Sequence, residues 1–154
     1  MRRSGLTLVG YVLALGLLAP AHAELMAWDQ AKVTELAKQL ESAAKSLYDT
    51  FYKQPEPGLG SGQAQDYRRL KQEVRRVRSE ASELANALAK GEGRENTLPI
   101  YEHLMMKVRD ARELAARVFT TQDVQQRATE TRQLLNQIAP YYDPDAPPLQ
   151  PVTR

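Results

Sequence analysis

A chain of 154 residues is long enough for one hydrophobic core and hardly for two. It has no cysteine, which excludes a disulfide frame, thiolate catalysis, covalent haem attachment and a lipid on cysteine. The formal charge is only +2, and Arg2 and Arg3 account for it; the nineteen basic residues after them balance nineteen acidic ones, so nucleic-acid binding is not expected.

Residues 1–23 have the parts of a secretory signal peptide in order. Arg2 and Arg3 form a basic start, an uncharged stretch rich in Leu, Val and Gly runs from Ser4 to Ala19, and Ala21-His22-Ala23 supplies small residues for cleavage. The apolar run is shorter than the roughly 20 residues a bilayer-spanning helix needs, so no stable membrane span is expected after cleavage. The Arg pair is followed by Ser4-Gly5 rather than by the hydrophobic residues a twin-arginine signal favours, which points to general secretion. The expected location is outside the cytoplasm, in a periplasm or the extracellular space.

Beyond the leader the reading is all-α: an up-and-down helical bundle over residues 24–139, followed by a Pro-rich disordered tail over 140–154. In the first segment, from Ala27 to about Lys53, the apolar residues Val33, Leu36, Ala37, Leu40, Ala43, Ala44, Leu47 and Phe51 recur at steps of three and four, one stripe of a helix. Pro55, Pro57 and three glycines make a loop from Gln54 to Gly62, with Ser61 as an N-cap. The second segment repeats the spacing most regularly, through Tyr67, Leu70, Val74, Val77, Ala81, Leu84 and Leu88, in the manner of a coiled coil, and stops at Lys90-Gly91, where glycine suits a left-handed C-cap.

A third segment is expected from Thr97 to Phe119, with Pro99 in its first turn and Tyr101, Leu104, Val108, Ala111, Ala115 and Val118 on its stripe. A fourth runs from a cap at Thr120 through Val124, Ala128, Thr131, Leu135 and Ile138 to Pro140. Since Phe119 to Thr121 has neither Gly nor Pro, the alternative is three helices with a long kinked last one. Antiparallel packing sorts the rings into two end layers, Tyr48, Phe51, Tyr52, Tyr67 and Phe119 at one end and Trp28, Tyr101, Tyr141 and Tyr142 at the other. The many alanines on the stripes predict close approach of helix axes.

Catalytic chemistry finds no foothold in this pattern. Past the leader the one histidine is His103, adjacent to Glu102 rather than three residues from it, so the pair is not set to share a metal. Haem would need a second axial ligand; Met105 and Met106 lie on the same helix as His103, and the fourth segment has no histidine. Acidic residues alternate with Lys and Arg, as in Asp66/Arg69 and Glu73/Arg76, instead of sitting on an apolar stripe. No cofactor, metal or enzymatic activity is expected.

One charge feature stands above background. Arg68, Arg69, Lys71, Arg75, Arg76 and Arg78 are expected to share one flank of the second segment, with a single acid among them, Glu73. These six are the candidate contact with an anionic partner, either an acidic protein or an anionic polymer or lipid of the cell envelope. The functional expectation is a non-enzymatic binding or envelope accessory protein, with a haem- or metal-binding carrier as the alternative and homo-oligomers through the regular stripes as a further partner expectation.

Overall fold

The computed structural model describes residues 24–54 and 61–152, apart from the side chains of Ser61 and Gly62. Residues 1–23, the expected leader, therefore lie outside the described residues, as does most of the loop between the first two segments. Four helices follow in order, α1 (Gln30–Lys53), α2 (Ser61–Ala89), α3 (Arg94–Ala115) and α4 (Gln122–Ile138), and a 3-10 turn over Ala139–Tyr141 closes α4. Among the described residues there is no strand, so the chain is an all-helical bundle. A break at 116–121 separates α3 from α4, and the four-helix reading holds over the three-helix one.

The helix ends follow from local chemistry. Asp29 caps α1, its carboxylate accepting from the Lys32 N–H at 3.0 Å and satisfying a donor that the first turn leaves orphaned. At the end of α2, Gly91 has φ +87°. There the Glu92 N–H reaches the Ala87 carbonyl at 3.2 Å and the Gly91 N–H reaches Leu88 at 3.0 Å, the paired bonds of a left-handed cap.

Helix α3 begins at Arg94, three residues before the expected start, because Gly93 takes the N-cap position. Pro99 consequently falls in the second turn rather than the first, where its missing N–H removes a helical bond. The cap of α4 is Thr121 rather than Thr120, and its side chain makes no capping bond. The Thr121 N–H is instead satisfied from outside the helix by Gln54 Oε1 at 3.0 Å, which ties the end of α1 to the start of α4.

Packing runs α3 on α2, α2 on α1 and α1 on α4, whereas the sequence neighbours α3 and α4 are held apart. Leu40, Leu84, Leu88, Leu104, Leu135 and Ile138 are almost fully buried in the main core, and Phe51, Tyr67, Val118 and Val124 close the other end. The expected closeness at alanine positions fails on the α3–α4 side. Ala111, Ala115, Ala128 and Thr131 border a cavity there, since small side chains fill little space where no second helix moves in.

The two ring layers are only partly as expected. At the Trp28 end the layer is complete: the Tyr101 and Tyr142 rings stack at 4.4 Å, and Trp28 meets Tyr142 edge-on at 5.6 Å. Thr97 Oγ1 and the Tyr142 hydroxyl lie 2.8 Å apart inside this layer. At the other end Phe51 and Tyr67 are buried, but Phe119 is 67% exposed because it falls in the break after α3, and Tyr52 is 40% exposed on the flank of α1.

The residues after 139 are not detached from the bundle. Tyr141 and Tyr142 are core residues, and the packed unit extends past Pro140. Beyond them the chain is extended, as four prolines dictate, yet it is fastened at Leu149. The Leu149 N–H donates to Asn136 Oδ1 at 2.8 Å and its carbonyl accepts from Asn136 Nδ2 at 3.3 Å, so a single amide of α4 matches both backbone groups. At Leu149, Asn136 thus satisfies in place of water the backbone groups that proline spacing leaves without regular partners.

Candidate functional site

Basic residues of α2 and tyrosines of α1 meet along one seam of the bundle. On α2, Arg68, Lys71, Arg75 and Arg78 follow one another at steps of three, four and three, one line along the helix. On α1 the matching line is Lys45, Tyr48 and Tyr52. The Arg78 guanidinium lies 4.7 Å from the Tyr48 ring centre, and Lys71 Nζ lies 5.1 Å from that of Tyr52 and 5.3 Å from that of Tyr67. The Tyr48 and Tyr52 rings are themselves 4.2 Å apart. Cations over ring faces at this distance are held with about 0.5–1 kcal/mol each at exposed sites, enough to order long side chains that would otherwise sample many rotamers.

The electrostatics are one-sided along the row from Arg68 to Arg78; the acid on this seam, Glu41, lies one turn beyond it, where its Oε1 accepts from Ser82 Oγ at 2.6 Å. Arg68, Arg75 and Arg78 are exposed and form no ion pair with a carboxylate among the described residues. Burial, followed by the neighbouring Tyr48 hydroxyl, pushes the Tyr52 phenol up from its ordinary range, while Lys71 and Arg75 pull it down less strongly. The ring therefore remains neutral as the positive row passes over it.

The six basic residues expected to share one flank divide in two. Arg68, Lys71, Arg75 and Arg78 form the line described above. Arg69 and Arg76 lie on the outer side of the helix, where Arg76 Nη1 pairs with Glu73 Oε1 at 2.7 Å. Tyr48 and Tyr52, assigned to an end layer on sequence grounds, belong to this seam instead; their spacing from Lys45 was the available signal. Glu102 and His103 are both exposed on α3. Among the described residues no three His, Cys, Asp or Glu side chains cluster in a way that would hold a metal ion, and no helix is long and apolar enough to cross a membrane.

Sequence reasoning did not find a second concavity. Where α3 and α4 stand apart, a cavity of about 390 Å3 opens, floored by Leu47, Phe51, Val74 and Val77 of α1 and α2 and crossed at one end by residues 149–152. Arg112 and Arg132 project beside that crossing. Arg112 Nη2 donates to the Gln150 carbonyl at 2.8 Å and Arg132 Nη1 to the Leu149 carbonyl at 3.3 Å. Nothing in the periodicity of either segment announces the gap, since each stripe reads as fully apolar; it exists because those stripes are spent on α2 and α1.

No protein-family profile, curated protein or solved structure matches this chain. Its functional reading therefore rests on its own residues.

Proposed function

We propose that this chain is an exported, non-enzymatic helical bundle that docks on the anionic headgroup layer of an envelope membrane through the seam between α1 and α2. The observation that carries this reading is the row Arg68, Arg75 and Arg78, whose charges meet no described carboxylate and run beside the partly exposed rings of Tyr48 and Tyr52. Basic side chains reach phosphates, while tyrosine rings suit the boundary between headgroup and acyl chain. Each basic residue near such a surface contributes about 1 kcal/mol, so a row of this length gives reversible attachment without a spanning helix. The reading of residues 1–23 as a signal peptide supplies the route to that surface.

Co-sedimentation with phosphatidylcholine vesicles containing phosphatidylglycerol tests this function. The parent chain binds these vesicles, leaves vesicles of phosphatidylcholine alone in solution, and is released as salt rises from about 0.05 to about 0.5 M, which shortens the Debye length about threefold. Neutralising Arg68, Arg75 and Arg78 together to Gln lowers partitioning about a hundredfold at low salt. Equal binding by the triple variant, or no vesicle binding by the parent, contradicts the proposal. Binding to a soluble polyanion alone would replace the membrane by an envelope polymer as the partner.

A further inference from the structure

The cavity between α3 and α4 has walls and charge of quite different character from the basic seam. Its volume of about 390 Å3 lies within the range of small-molecule pockets. From Val124 to Leu135 its α4 wall covers eleven residue steps, about 16 Å of helix, so the space is elongated. Apart from threonine and glutamine side chains, two of them the buried Thr120 and Thr131, the walls are aliphatic or aromatic, and the charged residues lining it are Arg112 and Arg132, with no acid among them.

Those two guanidiniums hold only neutral acceptors. Their hydrogen bonds go to the carbonyls of Gln150 and Leu149, and neither meets a carboxylate among the described residues. The Nε of Arg112 is buried and without an acceptor. An elongated apolar slot lined by two guanidiniums that bond only neutral carbonyls, one of them with a buried Nε left without an acceptor, has the complementarity of a single alkyl chain carrying an anionic head: the chain takes the aliphatic walls and the head takes Arg112 and Arg132.

We propose that the α3–α4 cavity binds one alkyl chain with a carboxylate or phosphate head, its chain between Val74, Val108 and Leu135 and its head at Arg112 and Arg132. The segment around Leu149 and Gln150 is then the cover of the site, and its carbonyls are the acceptors that the anionic head replaces. This site is independent of the seam between α1 and α2, which lies on the other pair of helices.

Isothermal titration with dodecanoate below its micellar concentration tests the proposal on the full chain as purified from an expressing host. The expected result is one molecule bound per chain with a negative heat-capacity change, and at least tenfold weaker binding of dodecyltrimethylammonium, which has the same chain and the opposite head. Ala128→Trp, at the exposed rim, and Ala111→Trp, deeper in the wall, each lower dodecanoate affinity at least tenfold in protein whose helical circular dichroism is unchanged. Arg112→Gln combined with Arg132→Gln abolishes the preference for the anionic head.

Lysophosphatidylglycerol of matching chain length separates the two sources of the head: tighter binding than dodecanoate marks a lipid phosphate, and weaker binding marks a free fatty acid. Absence of binding by both amphiphiles overturns the proposal. So does equal affinity for the cationic amphiphile, a comparison made on the unaltered chain and thus independent of whether either tryptophan variant folds. Failure here leaves the vesicle result at Arg68, Arg75 and Arg78 standing, because those residues lie outside the cavity.

Discussion

Tyr101 shows how much of the residue-level chemistry depends on the bundle being closed. Burial, with smaller additions from Asp143 and Tyr142, pushes its phenol up to about 12 from an ordinary value of 10.0. Tyr142 is also raised, chiefly by burial, although its contact with Thr97 and the charge of Arg94 oppose the shift. The folded state thus holds these protons more tightly than the unfolded chain. The corresponding stability is fully present below pH 10 and is lost as pH rises through about 12.

The melting temperature is therefore expected to fall steeply over that interval, and Tyr101→Phe, which retains the stacked ring, to make the decline shallower. An identical decline in the variant, followed by circular dichroism, would contradict this account of Tyr101. Sequence reasoning placed Tyr101, Tyr142 and Trp28 in one layer, since helix length and direction fix which ends meet. The shift itself was not legible, because it depends on the 3-10 turn that folds Tyr142 back over Thr97.

At the scale of elements, the stripes of α1 and α2 were readable because these helices bury them against each other. Seven of the eight expected apolar positions of α1, Val33, Leu36, Ala37, Leu40, Ala44, Leu47 and Phe51, are its buried residues, and the eighth, Ala43, is only half-buried. The caps were less readable: Gly93 outcompetes Thr97 as the start of α3, and Gln54, distant in sequence, supplies what a side-chain cap would give α4. The fastening of Leu149 was not legible for a related reason. Proline spacing forbids regular structure, but it does not forbid docking by way of another element's side chain, and Asn136 provides that dock.

Asn136→Ala removes both bonds to Leu149, each contributing about 1 kcal/mol or less in this partly exposed setting. Global stability is expected to fall by only about 1 kcal/mol, because the bundle core does not depend on the tail. Cleavage within 143–152 by a nonspecific protease should become several-fold faster. Unchanged cleavage would show that Asn136 does not fasten the segment.

The whole molecule is a bundle closed on three sides and open on the fourth, where its own tail crosses. Antiparallel order was legible, since short connections leave little choice, but helix number was not, because Phe119 to Thr121 has neither Gly nor Pro to separate the last two helices. Which pair would remain apart was not: all four segments carry apolar stripes, and periodicity does not say which neighbour each stripe will select. The same limit applies to the basic residues of α2, where spacing defined a line but only packing revealed the tyrosines beside it and the Glu73 partner that removes Arg76 from it.

The proposed cavity site depends on this open arrangement, and amide hydrogen exchange resolved along the chain tests it most directly. The account predicts slowest exchange in the middle of α1 and α2, which are packed on two neighbours or on the longest partner, intermediate protection in α3 and α4, and a protected amide at Leu149 within an otherwise fast tail. Equal protection of α3 and α4 with the central pair, together with a freely exchanging Leu149, would mean a closed four-helix bundle with a detached tail, and would contradict it.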